Sequence, residues 1–128
     1  MVDQDGLPVR LNLTAGQASD KTAVPALLAG LPPAAALVAD RGYDSDAVLA
    51  LVTERGAQAH IPSTSRRRIQ RSVAPALYRQ RNLVERFFCN LKQFRRVATR
   101  FDKLARNYLA AVLLSASRIW LRAVESTP

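Results

Sequence analysis

The sequence predicts an α/β domain, and two patterns in the 128-residue chain support that prediction. Short apolar runs of strand composition alternate with longer segments in which apolar residues recur at helical spacing. Hydrophobic residues make up 48% of the chain, which is typical of a folded protein and not of a disordered one. At this length we expect one domain that covers residues 1–128.

The chain opens with a predicted turn and strand. Asp5-Gly6 is a typical turn pair, and apolar and polar side chains alternate through the segment that follows, Pro8–Thr14. That alternation predicts a strand in a sheet with one polar face. Asp20 is a residue type favoured at helix N-caps, so we expect a helix from there to about Ala29.

Two further strands are predicted on either side of a second helix. Ala36–Ala39 is wholly apolar and lies between turn residues, a composition typical of a buried strand in a mixed sheet. A helix capped by Asp44 or Ser45 should run to Arg55. The short strand Ala57–Ile61 follows.

The second half of the chain is predicted to be helical. Residues 62–75 form a loop with four arginines and no core pattern, and a long helix is expected over about Ala76–Phe94. The basic connector Arg95–Arg100 leads to a last helix, about Asp102–Val124, which we expect to pack against the sheet or the preceding long helix.

Charge is distributed unevenly along the chain. Residues 1–60 hold four Lys/Arg and seven Asp/Glu, whereas residues 61–128 hold fifteen and three. An acidic half joined to a basic half suits metal-ligand carboxylates combined with a surface for a polyanion. No apolar run is long enough to span a bilayer, and a membrane-surface protein does not fit the predicted strands and acidic first half.

Three single residues receive limited interpretations. Cys89 excludes an internal disulfide, suits a reducing cytoplasm and is expected to be a packing residue. With one cysteine and one histidine, His60, the usual structural zinc sites are excluded, and we assign His60 a structural role. Trp120 lies among apolar residues of the last helix and is expected in the core.

A polar stripe on the long helix is the first candidate site. Tyr78, Arg81, Glu85 and Lys92 have the spacing Y-x2-R-x3-E-x6-K and fall within an arc of roughly 60° on a continuous helix. Arginine, lysine and tyrosine contact phosphates, and a carboxylate among them suits Mg²⁺. The alternative is an ordinary solvated face of an amphipathic helix.

A second acidic element precedes this helix. Asp40 ends the apolar strand Ala36–Ala39, and functional groups in open α/β sheets gather beyond the carboxyl ends of strands. Asp44 and Asp46 are assigned instead to the N-cap and first turn of the next helix. Two-metal phosphodiester chemistry needs converging carboxylates, and Asp40 and Glu85 are the two candidates.

Together the two motifs resemble a known family. A-D-R-G-Y-D at residues 39–44, followed by Y-x2-R-x3-E-x6-K, resembles bacterial insertion-sequence transposases of the DDE type. The resemblance is narrower to insertion-sequence families four and five, which the Tyr-Arg-Glu-Lys signature marks. The segment Leu13–Asp20 is also similar to one usual in that group.

The resemblance implies an RNase H-like fold in which two Asp and one Glu bind two Mg²⁺ ions. Asp40 matches the second Asp and Glu85 the Glu, while Tyr78, Arg81 and Lys92 match the residues that contact transposon-end DNA. From their charge alone, Arg66, Arg67, Arg68 and Arg71 are predicted to follow DNA phosphates, the alternative being a solvated linker.

One departure from the family limits what we expect of the isolated chain. The family's first Asp lies on a first strand upstream of anything resembling residues 1–20. We therefore expect the C-terminal part of a partial RNase H-like domain, from either a truncated gene copy or a second reading frame joined by frameshifting. The parent activity would be metal-dependent DNA cleavage and strand transfer. The isolated chain should be inactive and should need an upstream transposase half or another transposase subunit; the alternative is a non-catalytic DNA-binding remnant or regulator.

Overall fold

The computed structural model describes residues 1–30, 32–33 and 36–126. In these ranges the chain is mixed α/β, with one small parallel sheet and several helices. The strands are β1 (Ala36–Val38) and β2 (Gln58–His60), and the α-helices are α1 (Val24–Leu28), α2 (Asp46–Glu54), α3 (Pro75–Arg79), α4 (Asn82–Lys92), α5 (Arg95–Ala98) and α6 (Ala105–Glu125).

The chain divides into two compact units. The central unit is Thr14–Arg81, and the terminal unit combines Met1–Leu13 with the chain from Asn82 onward. Each unit is described by itself below.

A strand–helix–strand arrangement forms the middle of the central unit. β1 and β2 pair in parallel with Leu37 opposite Ala59, and α2 connects them. Val48, Val52 and Ile61 are buried. All three β1 residues are only half-buried, so the prediction of a buried strand is wrong. A strand is fully buried only when both of its faces are covered.

The helix predicted from Asp20 begins differently from the sequence expectation. Residues Asp20–Ala23 form a 3₁₀ turn that continues into α1, and Ser19, not Asp20, occupies the N-cap position. The segment ends as predicted at Gly30, whose φ of +67° lies in the left-handed region that favours glycine.

The terminal unit has an apolar core formed by α4, α5 and α6. Its buried side chains are Phe87, Leu91, Val97 and Val112. The last helix therefore packs against α4 and α5.

The opening segment belongs to the terminal unit. A turn is confirmed there, because the Asp3 carboxylate accepts hydrogen bonds from the amides of Asp5 and Leu7. The predicted strand Pro8–Thr14 is wrong: within the described residues this segment forms only an isolated antiparallel bridge, Val2 to Pro8. A strand needs a continuous hydrogen-bonded neighbour, and one bridge does not supply it.

The single long helix predicted over residues 76–94 is interrupted. α3 ends at Arg79 and α4 begins at Asn82. Between them the amides of Gln80 and Arg81 donate to carbonyls three residues earlier, each at 3.0 Å, which is tighter than α-helical winding. The 60° arc therefore does not describe one continuous helix, and only Glu85 and Lys92 remain together on α4.

Two packing predictions on these helices are also wrong. Cys89 is exposed, because the buried face of α4 is a narrow one around Phe87 and Leu91. Trp120 keeps 38% of its surface exposed. Its indole Nε1 donates to the Pro8 carbonyl at 2.7 Å, so the ring lies at the edge of the unit with its polar atom satisfied.

Candidate functional site

Asp40 lies just beyond the end of β1, and its side chain is fixed by the local backbone. Its Oδ1 accepts a hydrogen bond from the Gly42 amide at 2.8 Å. Asp40 thereby caps a 3₁₀ turn, Arg41–Tyr43, and its carbonyl accepts from the Tyr43 amide at 3.1 Å. The half-buried carboxylate is thus positioned at the carboxyl end of the sheet, as the sequence predicted.

Gly42 is required for this arrangement. A Cβ atom at position 42 would lie 2.9 Å from Asp40 Oδ1, closer than real Cβ contacts allow. A larger residue would displace the carboxylate and break its hydrogen bond. The absence of a side chain at Gly42 therefore allows the Asp40 carboxylate to occupy this position.

The phenol of Tyr43 is affected by the negative charges of two acidic residues of this region, Asp20 and Asp40. Burial raises the pKa of its phenol, and the negative charges of Asp20 and Asp40 raise that pKa further. The hydroxyl therefore stays protonated at neutral pH and can donate a hydrogen bond. Sequence reasoning assigned Asp20 only a capping role and did not single out Tyr43.

Of the two helix caps that the sequence suggested, Ser45 is confirmed and Asp44 is not the cap. Ser45 caps α2, its Oγ accepting from the Val48 amide at 3.3 Å. The side chain of Asp44 is completely buried and accepts hydrogen bonds from the Thr64 amide at 2.7 Å, from Arg67 Nε at 2.8 Å and from Arg71.

These contacts decide the ionisation of Asp44. Burial alone would raise the pKa of the carboxyl. Hydrogen bonds from Arg71, Thr64 and Arg67 outweigh burial and hold that pKa well below its usual range. Asp44 is therefore a buried carboxylate anion that joins the start of α2 to the arginine loop, residues 62–75.

The four arginines predicted to contact phosphates differ in their surroundings, and Arg71, like Arg67, pairs with the buried Asp44 carboxylate. The Arg67 guanidinium donates hydrogen bonds to Asp46, at 2.7 Å, and to Asp44, and these hydrogen bonds raise its pKa. Arg66 and Arg68 are exposed. The structure therefore presents Arg66 and Arg68 to solvent and uses Arg67 to hold the loop.

The four signature residues are divided between the two units. Tyr78 lies on α3 and Arg81 in the turn after it, and both are half-buried. Glu85 in the first turn of α4 and Lys92 at its end are exposed. Seven residues of helix place these two on one face, about 10 Å apart along the axis.

Sequence reasoning missed the contacts of Asp44 with Thr64, Arg67 and Arg71, because these partners are 20 to 27 residues away along the chain. The available signal was the pair Arg67 and Arg71 in a loop whose sequence has no apolar core pattern. No group of three or more His, Cys, Asp or Glu within the described ranges is placed to hold a metal ion.

Comparison with known proteins identifies the family. The chain matches the transposase DDE domain family over residues 1–120. It belongs to that family. This DDE transposase chain is also 34% identical, over 123 residues, to the putative transposase for insertion sequence element IS6501 of Brucella ovis, with 95% of each chain covered.

The predicted resemblance to insertion-sequence DDE transposases is thus confirmed, whereas the narrower assignment to families four and five stays a prediction. No solved structure matches the chain. Among the described helices of this transposase, none is both long and apolar enough to cross a membrane.

Proposed function

We propose that this chain forms the C-terminal part of an RNase H-like catalytic domain that cleaves DNA at insertion-sequence ends and transfers the strands. Asp40 and Glu85 are the proposed catalytic carboxylates and Mg²⁺ ligands. The observation that carries the proposal is the Asp40 carboxylate, held by the Gly42 amide at the carboxyl end of β1. Membership in the transposase DDE domain family supports it.

The donor types fit a hard divalent cation. Asp40 uses Oδ1 for the Gly42 amide, which leaves Oδ2 to serve as a ligand, and carboxylate oxygens are what Mg²⁺ prefers. When bound, such ions activate the attacking oxygen and stabilise the leaving one. The number of ligands is incomplete, since the described residues offer no group of three.

The cationic residues of the chain have a separate role in the proposal. Arg66, Arg68 and Lys92 are exposed cations that would contact phosphates of the element end. Tyr78 and Arg81 would position the same DNA. These groups orient the substrate and do not transfer protons themselves.

We further propose that the isolated chain does not cleave DNA. The missing carboxylate would come from an upstream transposase half or another transposase subunit, whose strands would complete the two-stranded sheet. The assembly would act on bacterial DNA in the cytoplasm. The second candidate function, non-catalytic DNA binding, is favoured by the excess of Lys/Arg over Asp/Glu in residues 61–128.

A cleavage assay tests the proposal. Purified chain, alone and mixed with a polypeptide encoded directly upstream, is incubated with element-end DNA and Mg²⁺ or Mn²⁺. We expect nicking only in the mixture and expect Glu85→Gln to abolish it. Glu125→Gln, which removes an exposed carboxylate from α6 of the same unit, is the matched control and should leave nicking unchanged.

Each alternative gives a different result. Nicking by the chain alone that Glu85→Gln abolishes would overturn the proposed inactivity. DNA binding without nicking in any mixture would favour the non-catalytic function. Nicking that survives Glu85→Gln would remove Glu85 from the site.

A further inference from the structure

The corner between α5 and α6, residues Arg95–Arg106, is the most basic short segment of the terminal unit that no proposed role yet covers. We call it the basic corner. It contains five Lys/Arg and one acidic residue, Asp102. All five cations are exposed, and four of them have no acidic partner within the segment: Arg95, Arg100, Lys103 and Arg106.

The backbone of the basic corner is fixed to the core of its unit. Val97 in α5 is buried with Phe87, Leu91 and Val112. The Arg100 amide donates to the Val97 carbonyl at 3.1 Å, and Arg100 adopts a φ of +47°. An L-residue keeps this left-handed conformation only where its surroundings impose it. The corner is therefore built to hold one conformation.

A side-chain contact closes the basic corner and neutralises its acidic residue. Arg96 Nε and Nη2 donate to the two carboxylate oxygens of Asp102, at 2.8 and 2.9 Å. The same guanidinium lies 5.2 Å from the centre of the Phe101 ring. Because Arg96 compensates Asp102, the other four cations present positive charge without a competing carboxylate inside the corner.

We propose that the basic corner binds the phosphate backbone of duplex DNA, as a contact region separate from the signature residues. This inference rests on the proposed function for its ligand, since the family acts on DNA. Guanidinium groups match phosphate geometry, and a preorganised surface loses little conformational entropy when it binds. The corner carries no base-reading pattern, so its contacts should be independent of DNA sequence.

Salt-dependent binding measures the proposed contacts directly. The affinity of the full chain for a fluorescent duplex is measured by anisotropy over a range of salt concentrations. Each phosphate contact contributes about 0.9 to the slope of log K against log salt concentration. Arg95→Ala, Arg100→Ala, Lys103→Ala and Arg106→Ala should each reduce the slope by about one unit, and the fourfold variant by about three to four units.

The matched control removes the same charge elsewhere on the same helix. Arg118 is exposed on α6 and lies about 18 Å along the axis from Arg106. Arg118→Ala should leave the slope unchanged. Circular dichroism of every variant verifies folding, and Arg100→Ala retains a Cβ atom, so it adds no new backbone strain.

The outcomes separate this inference from the proposed function. Corner variants that bind like the wild type would overturn the inference alone. An equal loss for Arg118→Ala and the corner variants would show a diffuse charge effect and would also overturn it. A wild-type chain with no measurable duplex binding would overturn both.

Discussion

Replacing Asp44 by asparagine is expected to lower the free energy of unfolding of the central unit by about 3 kcal/mol. The substitution preserves the size of the side chain and removes its charge. The new amide group would turn hydrogen-bond donors toward two guanidinium groups that are themselves donors. Arg67 and Arg71 would then lose the carboxylate that they share.

The magnitude follows from the burial of the three partners. Breaking a buried ion pair costs roughly 3–5 kcal/mol when one partner is removed. The Asp44 side chain is 0% exposed, which supports that range. Arg67 and Arg71 each keep 26% exposure and can regain water, which favours the lower end.

Urea denaturation followed by far-UV circular dichroism measures the change. Hydrogen exchange at the Thr64 amide gives a local readout, because that amide donates to Asp44. Fluorescence of Trp120, the one tryptophan of the chain, reports the terminal unit separately. We expect faster exchange at Thr64 and an earlier loss of the dichroism signal.

Asp46→Asn is the matched control. It makes the same chemical change to a carboxylate that contacts the same Arg67 but is 88% exposed. Exposed ion pairs contribute little to stability, so the control should resemble the wild type. Equal effects of the two substitutions, or an unchanged Thr64 exchange rate in Asp44→Asn, would refute the proposed role of Asp44.

Three further predictions use the same assays or the cleavage assay. Because the pKa of Asp44 lies below its ordinary value of 3.8, its stabilising contribution is complete above about pH 5 and is lost progressively as the pH falls further. Urea midpoints measured from about pH 6 to pH 3 should fall in the wild type and fall less in Asp44→Asn. Gly42→Ala should displace the Asp40 carboxylate and reduce cleavage by the mixture of this chain with the upstream polypeptide roughly 100-fold, while changing the free energy of unfolding little. Unaltered cleavage would contradict the role assigned to Gly42. Leu91→Ala should cost roughly 2–5 kcal/mol because Leu91 is buried, whereas Leu114→Ala, at a position 73% exposed, should have little effect on Trp120 fluorescence unfolding curves.

Local sequence patterns were sufficient for elements whose limits are set by neighbouring residues. The strands β1 and β2 and the helix between them were predicted, because apolar runs, Ser45 and Gly56 mark their limits. The interruption at Gln80–Arg81 was missed since neither glycine nor proline marks it. A break without such residues depends on the packing of the flanking segments, which helical periodicity does not describe.

The candidate site could be predicted only in part, for a related reason. Asp40 was placed correctly because a strand and a glycine turn are adjacent to it. The role of Asp44 depends on Arg67 and Arg71, more than twenty residues away, and an Asp before a helix more often caps it. Distant pairing of this kind leaves no periodic signal in a single sequence.

The division of the chain has a consequence for its synthesis. The central unit is one continuous segment, whereas the terminal unit needs both Met1–Leu13 and the chain from Asn82 onward. A ribosome therefore completes the central unit first, and it can fold while the rest is still being made. The Trp120 to Pro8 hydrogen bond joins residues 112 positions apart, so it forms only after most of the chain has emerged. Until then residues 1–13 cannot form their contacts with the C-terminal helices. We therefore expect the terminal unit to fold more slowly than the central unit.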